Sequence, residues 1–198
     1  TYTVPSVSIT TAHTGASAKA NALGMRAMQE RAYARRGEQY LLIKSPPASG
    51  KSRALMFIAL DKLHNQGLQQ AIVVVPERSI GSSFADELLS QKGFGWDWQV
   101  APQWNLCNAP GIDEPRIAKS KVDAVRKFLA GSDQVLVCTH ATFRFAVEAL
   151  GINAFDNRLI AIDEFHHVSS NPGNVLGRQL GAFMARDKVH MVARTGPY

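Results

Sequence analysis

Ser45-Pro46-Pro47-Ala48-Ser49-Gly50-Lys51-Ser52 is the stretch from which the fold is read. An apolar run over residues 40–44 leads into it, and apolar spacing of three and four residues follows over 51–64. The first reads as a strand and the second as a helix, the setting that a phosphate-binding loop requires. In that setting backbone N–H groups wrap the phosphates, and the helix turns the positive end of its dipole toward the same anion. Gly50 allows a close backbone approach, Lys51 reaches the outer phosphates, and the Ser52 hydroxyl ligates Mg²⁺. Ser45 stands where such loops usually carry glycine. The same residues therefore also fit an ordinary turn before a helix capped by Ser49.

Outward from the loop, the strand–turn–helix rhythm repeats. Residues 71–75 read as a strand closed by Pro76, with a helix expected over 82–89. A helix over 119–129, a strand over 135–138 and a helix over 141–150 follow. Then come a strand over 159–162, a helix over 175–185 and a strand over 190–193. Short β-branched runs alternating with helical spacing predict an α/β fold, a mainly parallel sheet with helices on both faces. Residues 93–115 break the rhythm with Trp96, Trp98, Trp104 and three prolines. They read as a connecting segment with one short strand over 98–101. Its tryptophans anchor it to the core or, alternatively, stack on bases. Residues 1–20, rich in Ser, Thr and Ala, are expected to be a flexible lead-in. The start without methionine suggests trimming.

The second half of a site lies downstream. The apolar run 159–162 ends in Asp163-Glu164-Phe165-His166-His167. Such a run places both carboxylates at the C-terminal edge of a parallel sheet, where ligands bind in this fold class. Phosphoryl transfer needs one carboxylate for Mg²⁺ and one group to orient the attacking water; Asp163 fits the first role and Glu164 the second. Two acids solvating a strand end would look the same, but would leave the phosphate loop unexplained. Adjacent histidines on extended chain point to opposite sides, so His166 and His167 chelate a metal poorly.

With 198 residues and 45 % hydrophobic content, the chain is long enough to bury a sizeable core. Its apolar runs are strand-sized, which excludes a membrane-spanning helix, and no stretch reads as a signal peptide. The two cysteines, Cys107 and Cys138, form neither a disulfide framework nor a zinc pair, and point to a reducing, cytoplasmic setting. A net charge of +6 favours a polyanionic partner, with nucleic acid the commonest.

Taken together, these motifs resemble the superfamily 2 helicases of DExH (DEAD/DEAH-box) type, including the helicase subunits of type III-like restriction systems. Residues 45–52 resemble motif I, and Asp163-Glu164-Phe165-His166 reads as the DExH box. Pro76-Glu77-Arg78-Ser79 is similar to motif Ia. Cys138-Thr139-His140-Ala141-Thr142-Phe143 resembles a later Thr-containing motif, and Ala193-Arg194-Thr195-Gly196 resembles motif III. Arg194 departs from that last pattern, where a small residue is common. The resemblance runs from about residue 24 to the end, in the family's order.

The resemblance implies a P-loop NTPase domain of RecA-like fold over 21–198, with ATP and Mg²⁺ as cofactors. Gln29 is similar to the glutamine that reads adenine, with Gln39 a second choice; an ordinary exposed helix residue is the alternative for Gln29. His166 would couple nucleotide state to motif III through Thr195. Arg78, Thr139 and Thr142 would meet the nucleic-acid backbone, a salt bridge and two helix-cap hydroxyls being the alternatives. The partners implied are nucleic acid, DNA ahead of RNA, and a second RecA-like domain, which is not among these residues. That domain supplies arginine fingers in this family, so slow hydrolysis is expected without it. Two rival readings stand beside this one: a P-loop ATPase that ignores nucleic acid, and a non-catalytic nucleic-acid-binding module with a degenerate loop.

Overall fold

The computed structural model describes residues 6–8, 21–44, 51–76, 83–108, 115–165 and 175–195. In chain order the regular elements are β1 (Ser6–Ser8), α1 (Ala27–Tyr33), β2 (Tyr40–Lys44), α2 (Lys51–Asn65), β3 (Gln70–Val75), α3 (Pro115–Ala130), β4 (Val135–Thr139), α4 (His140–Leu150), β5 (Arg158–Ile162), α5 (Val175–Met184) and β6 (His190–Thr195). The strands form a six-stranded sheet in the order β1-β2-β6-β5-β3-β4, with every pairing parallel. This is the α/β architecture that the alternating pattern predicts.

Every residue of β3 and of β4 is buried, as strands covered on both faces must be. Alternate side chains divide the core. Ile43, Val73, Val137, Ala161 and Val192 pack on one face with α1, α2 and the segment after residue 83. Val74, Cys138, Ile162 and Met191 pack on the other with Phe128 of α3, Phe143 of α4 and Phe183 of α5. Phe143 and Phe183 form a cluster with Phe155, which precedes β5, with centroids 5.4–6.0 Å apart.

Buried polar groups tie the layers together. The carbonyls at the end of α3 would be orphaned in the core without partners. Gln70 of β3 donates Nε2 to the carbonyls of Phe128 (2.6 Å) and Asp133 (2.9 Å), while Arg158 of β5 donates Nη2 to that of Leu129 (2.9 Å). Lys62 of α2 has no exposed surface; its Nζ reaches the Glu38 carbonyl at 2.9 Å and His190 Nδ1 at 2.8 Å. Gln39 directs Nε2 to the carbonyls of Arg186 and Val189, which fixes the start of β2 against the approach to β6.

Three expectations change. Ser6–Ser8, inside the expected lead-in, pairs with β2 as an edge strand. No α-helix forms over 83–89: Asp86 accepts from the backbone N–H of Val100 at 2.8 Å and Glu87 forms a bridge to Trp98. Side chain–backbone bonds of this kind compete with helix formation. The short strand expected over 98–101 reduces to that same antiparallel bridge. Beyond it, Asn105 bridges in parallel to Val137 and covers part of the β4 edge. The tryptophans anchor this segment. Trp98 is fully buried and donates Nε1 to the Phe84 carbonyl at 3.0 Å. Trp104 donates to Asp133 at 2.6 Å, and Trp96 stacks on His64 at 4.4 Å.

The segment closes through Gly93, whose φ is 107° and whose added Cβ would collide with the Ala22 carbonyl oxygen. Gly67 has a similar φ of 74° but open space around it. Gly93→Ala is expected to cost about 2–4 kcal/mol and Gly67→Ala about 1–2 kcal/mol in urea unfolding. Equal losses would show that the Ala22 contact is unimportant.

A pH dependence follows from the Lys62 pair. Burial and then the Lys62 charge push the His190 pKa from 6.5 to about 4. Burial likewise lowers Lys62 from 10.5 to about 8. The unfolded chain takes up a proton at His190 that the folded chain refuses, so stability falls as pH drops from 6.5 to about 4. His190→Gln should flatten unfolding midpoints measured across that window, and an unchanged slope would exclude His190 as its source.

Candidate nucleotide-binding site

Parallel strands bring their C-terminal ends to one edge, and the register aligns them residue by residue. Ile43 pairs with Arg194, Val74 and Ala193 both pair with Ile162, and Val75 pairs with Thr139. One residue beyond β5, Asp163 therefore falls level with Arg194 on one side and Val75 on the other. Lys51 and Ser52 open α2, with six residues of sequence between the end of β2 and Lys51.

Asp163 is 2 % exposed and held from three elements. Its N–H donates to the Val74 carbonyl at 2.8 Å, and its carbonyl lies 2.9 Å from His140 Nε2 of α4. Its Oδ1 accepts from the Glu164 N–H at 3.1 Å and from Arg194 Nη1 at 2.9 Å. The same Nη1 donates to Glu164 Oε1 at 2.7 Å. The chain then turns back onto β6, the Phe165 N–H donating to the Arg194 carbonyl at 2.9 Å. Glu164 makes this turn with φ of 54°, in the left-handed region that costs a non-glycine residue about 1–2 kcal/mol.

Two adjacent carboxylates at a buried strand end repel each other. The fully buried Arg194 guanidinium offsets that repulsion, and each buried charge is paired as its desolvation requires. Asp163 Oδ2 accepts no hydrogen bond among the described residues. With the half-buried Ser52 hydroxyl at the first turn of α2, this gives the hard oxygen donors that Mg²⁺ takes. Among the described residues no three His, Cys, Asp or Glu side chains gather into an all-protein metal cage. A Mg²⁺ ion carried largely by substrate phosphates needs only one or two protein ligands, so the donor set fits.

The remaining predicted residues divide in three. Ser45, Pro46, Pro47, Ala48, Ser49, Gly50, Arg78 and His166 lie outside the described residues, as does the side chain of Lys51. Gln29 is 1 % exposed, so the exposed-helix alternative does not hold; its Oε1 accepts from the Arg26 N–H at 2.8 Å and caps α1. Gln39 is committed to the Arg186 and Val189 carbonyls. Thr139 and Thr142 are 5 % and 2 % exposed. Thr139 accepts from the Thr142 N–H at 3.2 Å and donates to its hydroxyl at 3.3 Å. Both residues thus take the positions that the cap alternative names, at the start of α4. Thr195 pairs with Lys44 at the end of β6, next to the residue that receives the Phe165 N–H.

Two site residues escaped the sequence reading: Arg194 as partner of both acids, and His140 as partner of the Asp163 carbonyl. A signal existed for the first. Arg194 closes an apolar run that reads as a strand, and an arginine buried there must find acids.

The match to known families agrees with this geometry. Residues 26–194 match the DEAD/DEAH box helicase family. The chain belongs to that family. It is also 54 % identical over 185 residues, 93 % of its length, to "Putative ATP-dependent helicase YeeB" of Bacillus subtilis (strain 168). The chain spans 30 % of that protein. Among solved structures, the Hef helicase domain of Pyrococcus furiosus aligns with 86 % of this chain and 32 % of its own, with a TM-score of 0.58 and 19 % identity. The DUF1998 helicase MrfA bound to DNA aligns with 87 % of this chain and 24 % of its own, with a TM-score of 0.55 and 17 % identity. These structures share the fold of this DEAD/DEAH box domain.

The cap at α4 is open to measurement. Thr139→Ala should cost about 1–2 kcal/mol in urea unfolding, because it removes a buried cap and strands the Thr142 N–H. A loss below about 0.5 kcal/mol would show that the cap does not hold the helix.

Proposed function

We propose that this domain is the ATP-binding and ATP-hydrolysing half of a helicase or translocase that moves on nucleic acid, DNA ahead of RNA. The observation that carries the reading is the Asp163–Glu164 pair, held at the C-terminal sheet edge with only β6 between it and β2, the strand that precedes Lys51 and Ser52. Lys51 reaches the outer phosphates, with residues 45–50 as the loop around them. Ser52 and Asp163 hold Mg²⁺, which when bound neutralises charge developing on the phosphates. Glu164 orients the attacking water. Gln29, at the start of α1, marks the adenine side. His166 and Thr195 couple the nucleotide to β6, and Arg78 meets the nucleic-acid backbone.

The net charge of +6 supports a polyanionic partner. Cys107 and Cys138 are buried and form no disulfide, which supports a reducing cytoplasmic setting. Among the described residues no helix is long and apolar enough to cross a membrane. The relative's greater length leaves room for a second RecA-like domain with the arginine fingers, worth about 10³–10⁵ in turnover in related enzymes. This chain alone is therefore expected to bind ATP and hydrolyse it slowly.

The test is binding of a fluorescent ATP analogue with and without Mg²⁺. Lys51→Ala should weaken binding at least tenfold, by about 1.4 kcal/mol or more, and Asp163→Ala should abolish its Mg²⁺ dependence. A folded wild-type chain that binds no nucleotide would overturn the reading. Nucleotide binding without affinity for DNA or RNA would retain the ATPase and remove the motor.

A further inference from the structure

The acid pair holds a cation of its own. Arg194 has no exposed surface, and a single guanidinium nitrogen, Nη1, reaches Asp163 Oδ1 at 2.9 Å and Glu164 Oε1 at 2.7 Å. The side chains of Asp163 and Arg194 are 2 % and 1 % exposed, so water screens their attraction little. Glu164 remains in the left-handed region, φ 54°, a conformation that persists where surroundings over-determine it. Here the Nη1 bond, the Glu164 N–H to Asp163 Oδ1 bond and the Phe165 N–H to Arg194 carbonyl bond together determine it.

A divalent ion approaching Asp163 Oδ2, which accepts no hydrogen bond among the described residues, meets this guanidinium on the same carboxylate. Two like charges a few ångströms apart in a partly desolvated site repel strongly, so Arg194 lowers the affinity of bare Mg²⁺ there. A nucleotide changes the balance, because its phosphates bring negative charge to the ion. The pair that Arg194 bridges also includes the carboxylate assigned to the attacking water, so its geometry is set before any nucleotide binds.

We propose that Arg194 is the built-in counter-ion and positioning residue of the acid pair: it holds Asp163 and Glu164 together in the nucleotide-free domain and keeps Mg²⁺ off Asp163 until nucleotide phosphates arrive with it. The inference rests on the nucleotide-site reading above. It differs from a purely structural role for Arg194, which would have no consequence for metal affinity.

The experiment is a Mn²⁺ titration of the 198-residue chain followed by electron paramagnetic resonance, with Mn²⁺ as the probe for Mg²⁺. It is run without nucleotide and with ADP, on wild type, Arg194→Gln and Arg194→Lys. Without nucleotide, wild type and Arg194→Lys should bind Mn²⁺ weakly, while folded Arg194→Gln should bind about tenfold or more tightly. With ADP the three should converge. Equal nucleotide-free affinities for wild type and Arg194→Gln would overturn the proposal. Failure of wild type to bind Mn²⁺ with ADP would instead overturn the nucleotide-site reading.

If Arg194→Gln does not fold, the wild type still decides by nuclear magnetic resonance of the Arg194 side chain. Its signal should be unmoved by Mg²⁺ alone and shifted by Mg²⁺ with ADP. A shift with Mg²⁺ alone would overturn the proposal.

Discussion

One nitrogen atom, Nη1 of Arg194, joins the end of β6 to both acids after β5, and the functional edge of the sheet is organised around that contact. A guanidinium buried at the end of a strand cannot stay unpaired without a cost of several kcal/mol. Two neighbouring carboxylates at a buried strand end have the converse problem. Each solves the other only if β5 and β6 lie side by side, parallel and in one register. Ile162 paired with Ala193 is that register. A shift by one residue would turn Arg194 to the opposite face, away from the acids.

The rest of the fold supports this arrangement without entering it. The core lies in two layers around a sheet whose inner strands β3 and β5 are buried at every residue but Arg158. The Asp163 backbone is held by Val74 from β3 and His140 from α4, elements that belong to the core on their own account. Polar groups away from the edge, buried Gln70 and Lys62 and half-buried Arg158, are spent on helix-end and loop carbonyls. Segment 83–108 has no α-helix, yet Phe84, Leu89 and Trp98 set it firmly into the α1–α2 face.

The chain belongs to the DEAD/DEAH box family and spans 30 % of a longer relative; under the proposed reading it carries one side of a shared site. Its described residues include the acids, the start of α2 and the counter-charge. What moves on nucleotide binding is expected at the strand ends and in the loops beyond them, since ligand sites of open parallel sheets lie outside the strand carboxyl ends.

Much was legible in the residues themselves. Apolar runs of strand length, helical spacing between them, a Gly-Lys-Ser turn and an Asp-Glu pair after a buried strand are local patterns, dictated by the period of the backbone and the chemistry of the side chains. They determined the α/β class, the helix that starts at Lys51 and the strand edge that carries Asp163. What they left open depended on contacts distant in sequence. Residues 83–89 have helical spacing, but Asp86 and Glu87 bond to Val100 and Trp98 instead. Ser6–Ser8 has no strand pattern of its own and gains one from β2. Thr139 and Thr142 read as backbone contacts or as helix-cap hydroxyls, and only the packing of α4 shows them buried at its start. Arg194 looked like a departure from a motif, and only the pairing of β5 with β6 made it the partner of the acids. Local periodicity chooses the elements; which charges meet is decided by packing, because a buried ion must find its counter-ion wherever the fold brings one.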